Sequence, residues 1–225
     1  MVHEIQKPET SNQEILDAMM NNYQDLETDG GSTVSNCSGN IASECVRESL
    51  NKVSDALEGF NDYVLVGGIP TQMEYVRRKG HESPQIMDNF GRRMTNDLDI
   101  LTTDTSEVKK RIRESDYHEG EKLKIDTIGT DLFNNTREII SSGQIHHYSA
   151  YDSAEITLNA NLRVPQDTEL LYTKVHDQTS RGSIGTRSDA KLIAESGEFD
   201  IENERMRYLA AGNEEAQNYL EQLGI

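Results

Sequence analysis

Tryptophan is absent from this chain of 225 residues, and aromatic side chains make up only 6% of it. Cysteine is scarce as well. Cys37 and Cys45 are too few for a disulfide scaffold or a four-thiolate zinc site, so we interpret them as unpaired thiols in a reducing compartment. No apolar run approaches the roughly 18 residues of a transmembrane helix, and the first residues lack the apolar segment of a secretory signal. We therefore expect a cytoplasmic protein with no membrane partner.

Basic residues are heavily outnumbered by acidic ones. Lys and Arg together number 22 against 40 Asp and Glu, which gives a formal net charge of −18. This balance disfavours a broadly basic nucleic-acid-binding surface. Because the acid excess is spread along the chain, it fits either an ordinary acidic cytosolic protein or adaptation to high salt, where screening removes self-repulsion. We favour the second interpretation, a halophilic protein in which any phosphate chemistry would rely on short-range contacts and bound metal instead of long-range attraction.

Hydrophobic periodicity predicts a mixed α/β (α+β) fold with helices on both sides of a strand-rich core. Strands are predicted at 63–66, 94–101, 122–128 and 154–158. Helices are predicted at 11–27, 41–59, 70–79, 106–113, 167–176, 188–194 and 201–223, the last with a break at Gly212. We divide the chain into an N-terminal helical segment and linker at 1–45, a core at 46–165 and a C-terminal helical part at 166–225.

Three aspartates fall on predicted strands, although strand interiors disfavour this residue. Residues two apart share one face of a strand, so Asp97 and Asp99 would point to one side, while Leu98 and Ile100 point to the other. With Asp126 on a neighbouring strand, the carboxylates would form an oxygen-rich site suited to Mg²⁺ or Mn²⁺. An Asp-x-Asp pair also arises by chance in so acidic a chain, and exposed acids on an edge strand are the alternative.

Two glycines follow the first predicted strand. Gly67 and Gly68 stand between the apolar run at 63–66 and a predicted helix that begins with Pro70. Such a turn lets the backbone approach a phosphate closely, with the N–H groups of the helix facing it. A plain strand-to-helix turn is the alternative. The order of strand, Gly-Gly, helix and Asp-x-Asp strand is more specific than any one of these features.

The segments VLVGGIPTQMEYV and RMTNDLDIL together resemble the polymerase-β-type nucleotidyltransferase superfamily, most closely its minimal and AbiEii-type toxin branches. Their shared pattern ends in Arg-x-Ser/Thr-x-Asp-[Ile/Leu]-Asp, which Arg93, Thr95, Asp97 and Asp99 match. KLKIDTI resembles the strand that carries the third carboxylate, here Asp126. The resemblance covers about 63–195 and implies a small mixed β-sheet flanked by helices. Ile-Pro at 69–70 departs from it, since the family commonly has small or hydroxyl residues there.

A further resemblance lies downstream, at 165–193, where AbiEii-type proteins carry a helical lysine and a later aspartate. It implies that Lys174 contacts nucleotide phosphate and that Asp189 assists catalysis or positions the lysine. From the residues alone, a solvated helix lysine and an acid at a helix N-terminus stay open for these two positions. His146 and His147 are interpreted as surface residues, because no second cluster has metal-ligand spacing.

The resemblance implies an enzyme that moves a nucleoside monophosphate from an NTP to a hydroxyl of RNA, tRNA or a protein. It implies catalytic roles for Asp97, Asp99, Asp126, Lys174 and Asp189, and metal at the first three. It further implies nucleotide contacts from Gly67, Gly68, Arg93, Thr95 and Lys174. Such proteins act as toxins paired with an antitoxin protein. A small-molecule acceptor, as in antibiotic-modifying relatives, and a non-catalytic nucleotide-binding or interaction protein of the same fold are the alternatives.

Overall fold

A computed structural model describes residues 42–71, 97–117, 123–130, 135–151, 157–181, 190, 193–194 and 214–222. The described elements, in chain order, are α1 (Ala42–Ala56), β1 (Tyr63–Val66), β2 (Asp97–Thr102), α2 (Thr105–Glu114), β3 (Lys124–Ile128), α3 (Thr136–Ser141), β4 (Gln144–Tyr151), β5 (Thr157–Val164), α4 (Asp167–Arg181) and α5 (Glu214–Gln222). The mixed α/β class is confirmed. The predicted helix at 11–27 and the glycine-rich linker after it lie outside the described residues.

The strands form two sheets. The first has the order β1-β2-β3, with β1 antiparallel and β3 parallel to the central strand β2. The helix α2 connects the two parallel strands, and it begins where Asp104 accepts a hydrogen bond of 2.9 Å from the backbone N–H of Glu107. The second sheet is the antiparallel pair β4-β5. None of the helices in the described ranges is both long and apolar enough to cross a membrane.

The sequence-based prediction of the second sheet was only partly right. A strand was predicted at 154–158, whereas β5 runs over Thr157–Val164 and its partner β4 was not predicted. The helix α3 was missed as well. On β5, the buried side chains of Ala160, Leu162 and Val164 alternate with the more exposed Asn161 and Arg163. This alternation of period two is a strand signal that the sequence of β5 already contains, and the prediction at 154–158 placed it several residues too early.

The two faces of the three-stranded sheet differ in character. One face carries Leu65, Leu98 and Ile100, each at most 1% exposed. On the other face, Val64, Val66, Leu101 and the partly buried Ile128 belong to a core cluster that includes side chains of α3, α4 and α5. The start of β2 lies on this same face and carries Asp97 and Asp99, and Asp99 is in register with Val66. This face therefore carries both apolar residues of the core cluster and acidic residues.

The helix α1 satisfies backbone groups of both sheets through its polar side chains. The hydroxyl of Ser49 accepts a hydrogen bond of 3.0 Å from the N–H of Leu123, just before β3. The side chains of Asn51 and Ser54 each accept one of 2.9 Å from the N–H groups of Asn159 and Asn161 on β5. Unpaired N–H groups at a sheet edge can pair with a strand of another chain. The side chains of α1 accept hydrogen bonds from two such groups of β5 and so make them unavailable.

Exchanging Ser49 for alanine should destabilise the protein. Ser49 is fully buried, and its loss leaves the buried N–H of Leu123 without this acceptor. A buried donor left unsatisfied costs about 1–3 kcal/mol of unfolding free energy. Urea unfolding of Ser49→Ala beside Ser106→Ala, an exposed serine on α2, measures this cost. Equal stability of the two variants would contradict the assigned role of the Ser49 hydroxyl.

Candidate metal centre

Strand register brings the three predicted aspartates together. In the parallel pair, the Cα of Asp99 lies opposite that of Asp126, and the Cα of Asp97 lies opposite that of Lys124. Residues in register on neighbouring strands point to the same face, as do residues two apart on one strand. Each of the three aspartates offers one carboxylate oxygen, and these oxygens all lie within 4.8 Å of one another. We call Asp97, Asp99 and Asp126 the acidic triad.

The acidic triad is half-buried and central in its sheet. All three residues are of intermediate exposure. Two of them, Asp97 and Asp99, belong to β2, which has a neighbouring strand on each side. The alternative interpretation of this Asp-x-Asp pair, exposed acids on an edge strand, is therefore wrong. Like charges so close together repel, and in a partly desolvated site solvent screens that repulsion less well than at an open surface.

The turn at Gly67 lies against one member of the acidic triad, Asp99. Gly67 directly follows Val66, the residue on β1 that pairs with Asp99. Its φ is +91°, and a Cβ built on it would clash with the Asp99 carboxylate, lying 3.1 Å from Cγ. The turn is held from the other side by the buried Thr71, whose hydroxyl donates a hydrogen bond of 2.8 Å to the carbonyl of Gly67. Gly67 is therefore required both by its backbone conformation and by its contact with Asp99.

Gly68 begins a helical stretch. Residues 68–71 are helical, so the turn ends sooner than the predicted helix start at Pro70. Ile69, which departs from the small or hydroxyl residues of the family pattern, is 1% exposed and therefore packs in the core. The remainder of the predicted helix at 70–79 and the loop at 80–92 lie outside the described residues.

A lysine that the sequence analysis did not single out lies against the acidic triad. The ammonium of Lys124 is 2.6 Å from Oδ1 of Asp126, and the two side chains are 57% and 39% exposed. Lys124 precedes Asp126 by two residues on β3, so both point to the same face. That spacing within KLKIDTI is the pattern by which the pair could have been predicted once the strand was assigned.

The donor set of the acidic triad fits a hard divalent cation. It consists of carboxylate oxygens from two adjacent strands, which are the ligands that Mg²⁺ and Mn²⁺ prefer. The ammonium of Lys124 already provides positive charge at one of these carboxylates, that of Asp126. The absence of a side chain at Gly67 gives the Asp99 carboxylate the space it occupies. These observations make Asp97, Asp99 and Asp126 the candidate ligands of a metal ion.

Lys174 is buried rather than solvated. It lies on α4 with 6% of its surface exposed, next to Val175 of the core cluster. A solvated helix lysine, the alternative considered for this position, is therefore excluded. A lysine almost never becomes fully buried without a compensating interaction, so its burial is consistent with a specific role.

The remaining predictions concern three site residues and the histidines expected at the surface. Asp189, Arg93 and Thr95 lie outside the described residues, and their roles stay predictions. His147 lies on β4 and is exposed, with Nδ1 2.7 Å from Oδ1 of Asn161. In the part of the chain that the structure describes, no histidine joins a cluster of metal-ligating residues. The interpretation of His147 as a surface residue is confirmed.

The chain was also compared with known proteins. No protein-family model matches it, and no curated protein aligns with it at a significant level.

Proposed function

We propose that the protein is a metal-dependent nucleotidyltransferase that moves a nucleoside monophosphate from an NTP to a hydroxyl acceptor. The observation that carries the proposal is the meeting of three carboxylates from two adjacent strands directly beside a glycine turn. In this reaction the acceptor oxygen forms a bond to the α-phosphorus, and the bond from that phosphorus to the bridging oxygen breaks. Pyrophosphate leaves, and the acceptor hydroxyl loses its proton.

The acidic triad would supply the metal site of this reaction. Asp97 and Asp99 would hold Mg²⁺ or Mn²⁺, and Asp126 would complete the site on the acceptor side. Bound metal would neutralise the triphosphate and align the attacking hydroxyl with the leaving group. The Asp126 carboxylate would accept the proton of that hydroxyl. Because the Asp126 side chain is 39% exposed, an acceptor molecule could approach this carboxylate from solvent.

The nucleotide would lie along the Gly67 turn. The N–H groups of Gly67 and Gly68 would donate to phosphate oxygens, since no side chain keeps a ligand away from this backbone. By resemblance, Arg93, Thr95 and Lys174 would add further phosphate contacts, and Asp189 would assist. The same resemblance suggests RNA, tRNA or a protein as acceptor, and a toxin paired with an antitoxin protein.

A transfer assay tests the proposal. The protein is incubated with each α-labelled NTP, with Mg²⁺ or Mn²⁺ and with total RNA, at low salt and in molar KCl. The double variant Asp97→Asn/Asp99→Asn runs in parallel. We expect label to move to RNA, or to the protein itself, only when the carboxylates are intact. The two salt conditions also test the halophilic interpretation, which predicts greater activity in KCl.

Two negative results have different meanings. No transfer with RNA, but transfer to an added aminoglycoside or other small polyol, would identify a small-molecule nucleotidyltransferase. Equal binding of metal and nucleotide by the wild-type protein and the double variant would overturn every nucleotidyltransferase interpretation of the acidic triad.

A further inference from the structure

We propose that Lys124 is the built-in counter-cation of the acidic triad, and that a divalent metal ion must displace its ammonium from Asp126 in order to bind. This inference rests on the proposed function, because it requires the acidic triad to bind metal. It assigns to Lys124 a role that sets the metal affinity of the site.

The position of Lys124 is the first argument. Its Nζ lies 2.6 Å from Oδ1 of Asp126, and its Cα lies opposite that of Asp97 across the parallel strands. The lysine therefore shares a sheet face with all three carboxylates. It pairs with the carboxylate of Asp126, which a metal ion bound by the triad would also use.

Charge is the second argument. Three carboxylates with oxygens within 4.8 Å of one another repel, and one ammonium offsets part of this repulsion. A divalent ion carries twice the charge of the ammonium and can contact several carboxylates at once. A monovalent ion from solvent has no such advantage over a cation that is already tethered to the strand. The arrangement therefore favours divalent ions over the monovalent ions of a salty medium.

Exposure is the third argument. The Lys124 side chain is 57% exposed, so it can leave Asp126 and be hydrated without disturbing the core. Ion pairs this open to solvent are weak. Release of the lysine is therefore a small cost that a divalent ion can overcome.

The test compares Mn²⁺ binding by calorimetry in the wild-type protein, Lys124→Met and Lys124→Arg at low salt. Methionine removes the charge without adding an oxygen ligand, and arginine keeps the charge. We expect Lys124→Met to bind Mn²⁺ up to about fivefold more tightly and Lys124→Arg to resemble the wild type. In the absence of metal, Lys124→Met should also have the lower melting temperature. Lys109→Met, at an exposed position on α2, controls for the change in net charge.

The outcomes separate this inference from the proposed function. Unchanged or weaker Mn²⁺ binding in Lys124→Met, with binding intact in the wild type, would overturn the counter-cation role alone. An equal gain in Lys109→Met would overturn it too, because the effect would then be one of net charge. No Mn²⁺ binding by the wild-type protein would overturn the metal site itself, and the inference with it.

Discussion

Asp99→Asn should lower nucleotidyl transfer by about 1,000-fold while leaving the fold intact, since bound metal contributes several kcal/mol to such reactions. Asp99 is the central member of the acidic triad. It lies opposite Asp126 on one side and Val66 on the other, and it contacts the Gly67 turn. Asparagine keeps the shape of the side chain but removes its charge, so the proposed metal site loses one of its three charged ligands.

The same substitution should stabilise the protein when metal is absent. Repulsion between two like charges at this distance costs about 1 kcal/mol in bulk water and about 4 kcal/mol near a protein surface. Because the site is half-exposed, we expect a value near the lower figure for each pair. We therefore expect Asp99→Asn to raise the melting temperature without metal and to abolish any rise caused by Mn²⁺. The measurement is thermal unfolding with and without Mn²⁺, in parallel with the transfer assay.

Asp55→Asn is the matched control, because Asp55 is an exposed residue of α1 and the chemical change is identical. Its transfer activity and its response to Mn²⁺ should equal those of the wild type. A loss of activity accompanied by a lower melting temperature in Asp99→Asn would instead indicate a structural role for Asp99. Unchanged activity would remove Asp99 from the proposed mechanism.

Gly67→Ala should destabilise the protein by about 2–4 kcal/mol and weaken Mn²⁺ binding as well. Two separate costs contribute. The φ of +91° is a conformation that an alanine adopts only with strain, and the new Cβ would lie where the Asp99 carboxylate is. The Asp99 carboxylate must move to make room for the new Cβ, so the substitution also displaces a proposed metal ligand. Urea unfolding and Mn²⁺ calorimetry on the same variant measure the two effects.

Gly59→Ala separates these costs. Gly59 has a φ of +72°, but a Cβ built there meets no atom within 4 Å, so this variant has the backbone strain alone. We expect it to lose about 1–2 kcal/mol and no Mn²⁺ affinity. Placing Gly67→Ala in an Asp99→Ala background removes the clashing carboxylate, so its cost should fall toward that of Gly59→Ala. If the cost stays the same in both backgrounds, contact with Asp99 does not explain the requirement for glycine.

Local patterns were sufficient for the elements that form the three-stranded sheet. The apolar run at 63–66 and the alternation of Asp97, Leu98, Asp99 and Ile100 predicted strands that the fold confirms. The alternation also assigned the aspartates to one face, because the period of a strand is two whatever its neighbours are. The second sheet was less readable: β5 has the same alternation, which the prediction placed too early, whereas β4 has no clear alternation and its Ile145 is 60% exposed.

The candidate site was predicted in its parts but not in its arrangement. Sequence spacing identified Asp97, Asp99, Asp126 and Gly67 as residues to consider. It did not reveal that Gly67 contacts Asp99, because that contact depends on the pairing of β1 with β2 and on its register. The pair of Lys124 and Asp126 lies within one strand, so its spacing was present in the sequence but was not singled out. Burial of Lys174 follows from the packing of α4 and not from its local sequence.

The sequence by itself determined the strongly acidic character of the chain, the types of its main elements and the residues with the chemistry to bind metal. These follow from composition and short-range periodicity, which are local properties. Tertiary structure decided that β2 is a central strand, that three carboxylates meet on one face, and that the Gly67 turn lies against one of them. These follow from strand pairing between segments far apart in the chain, which no local pattern encodes.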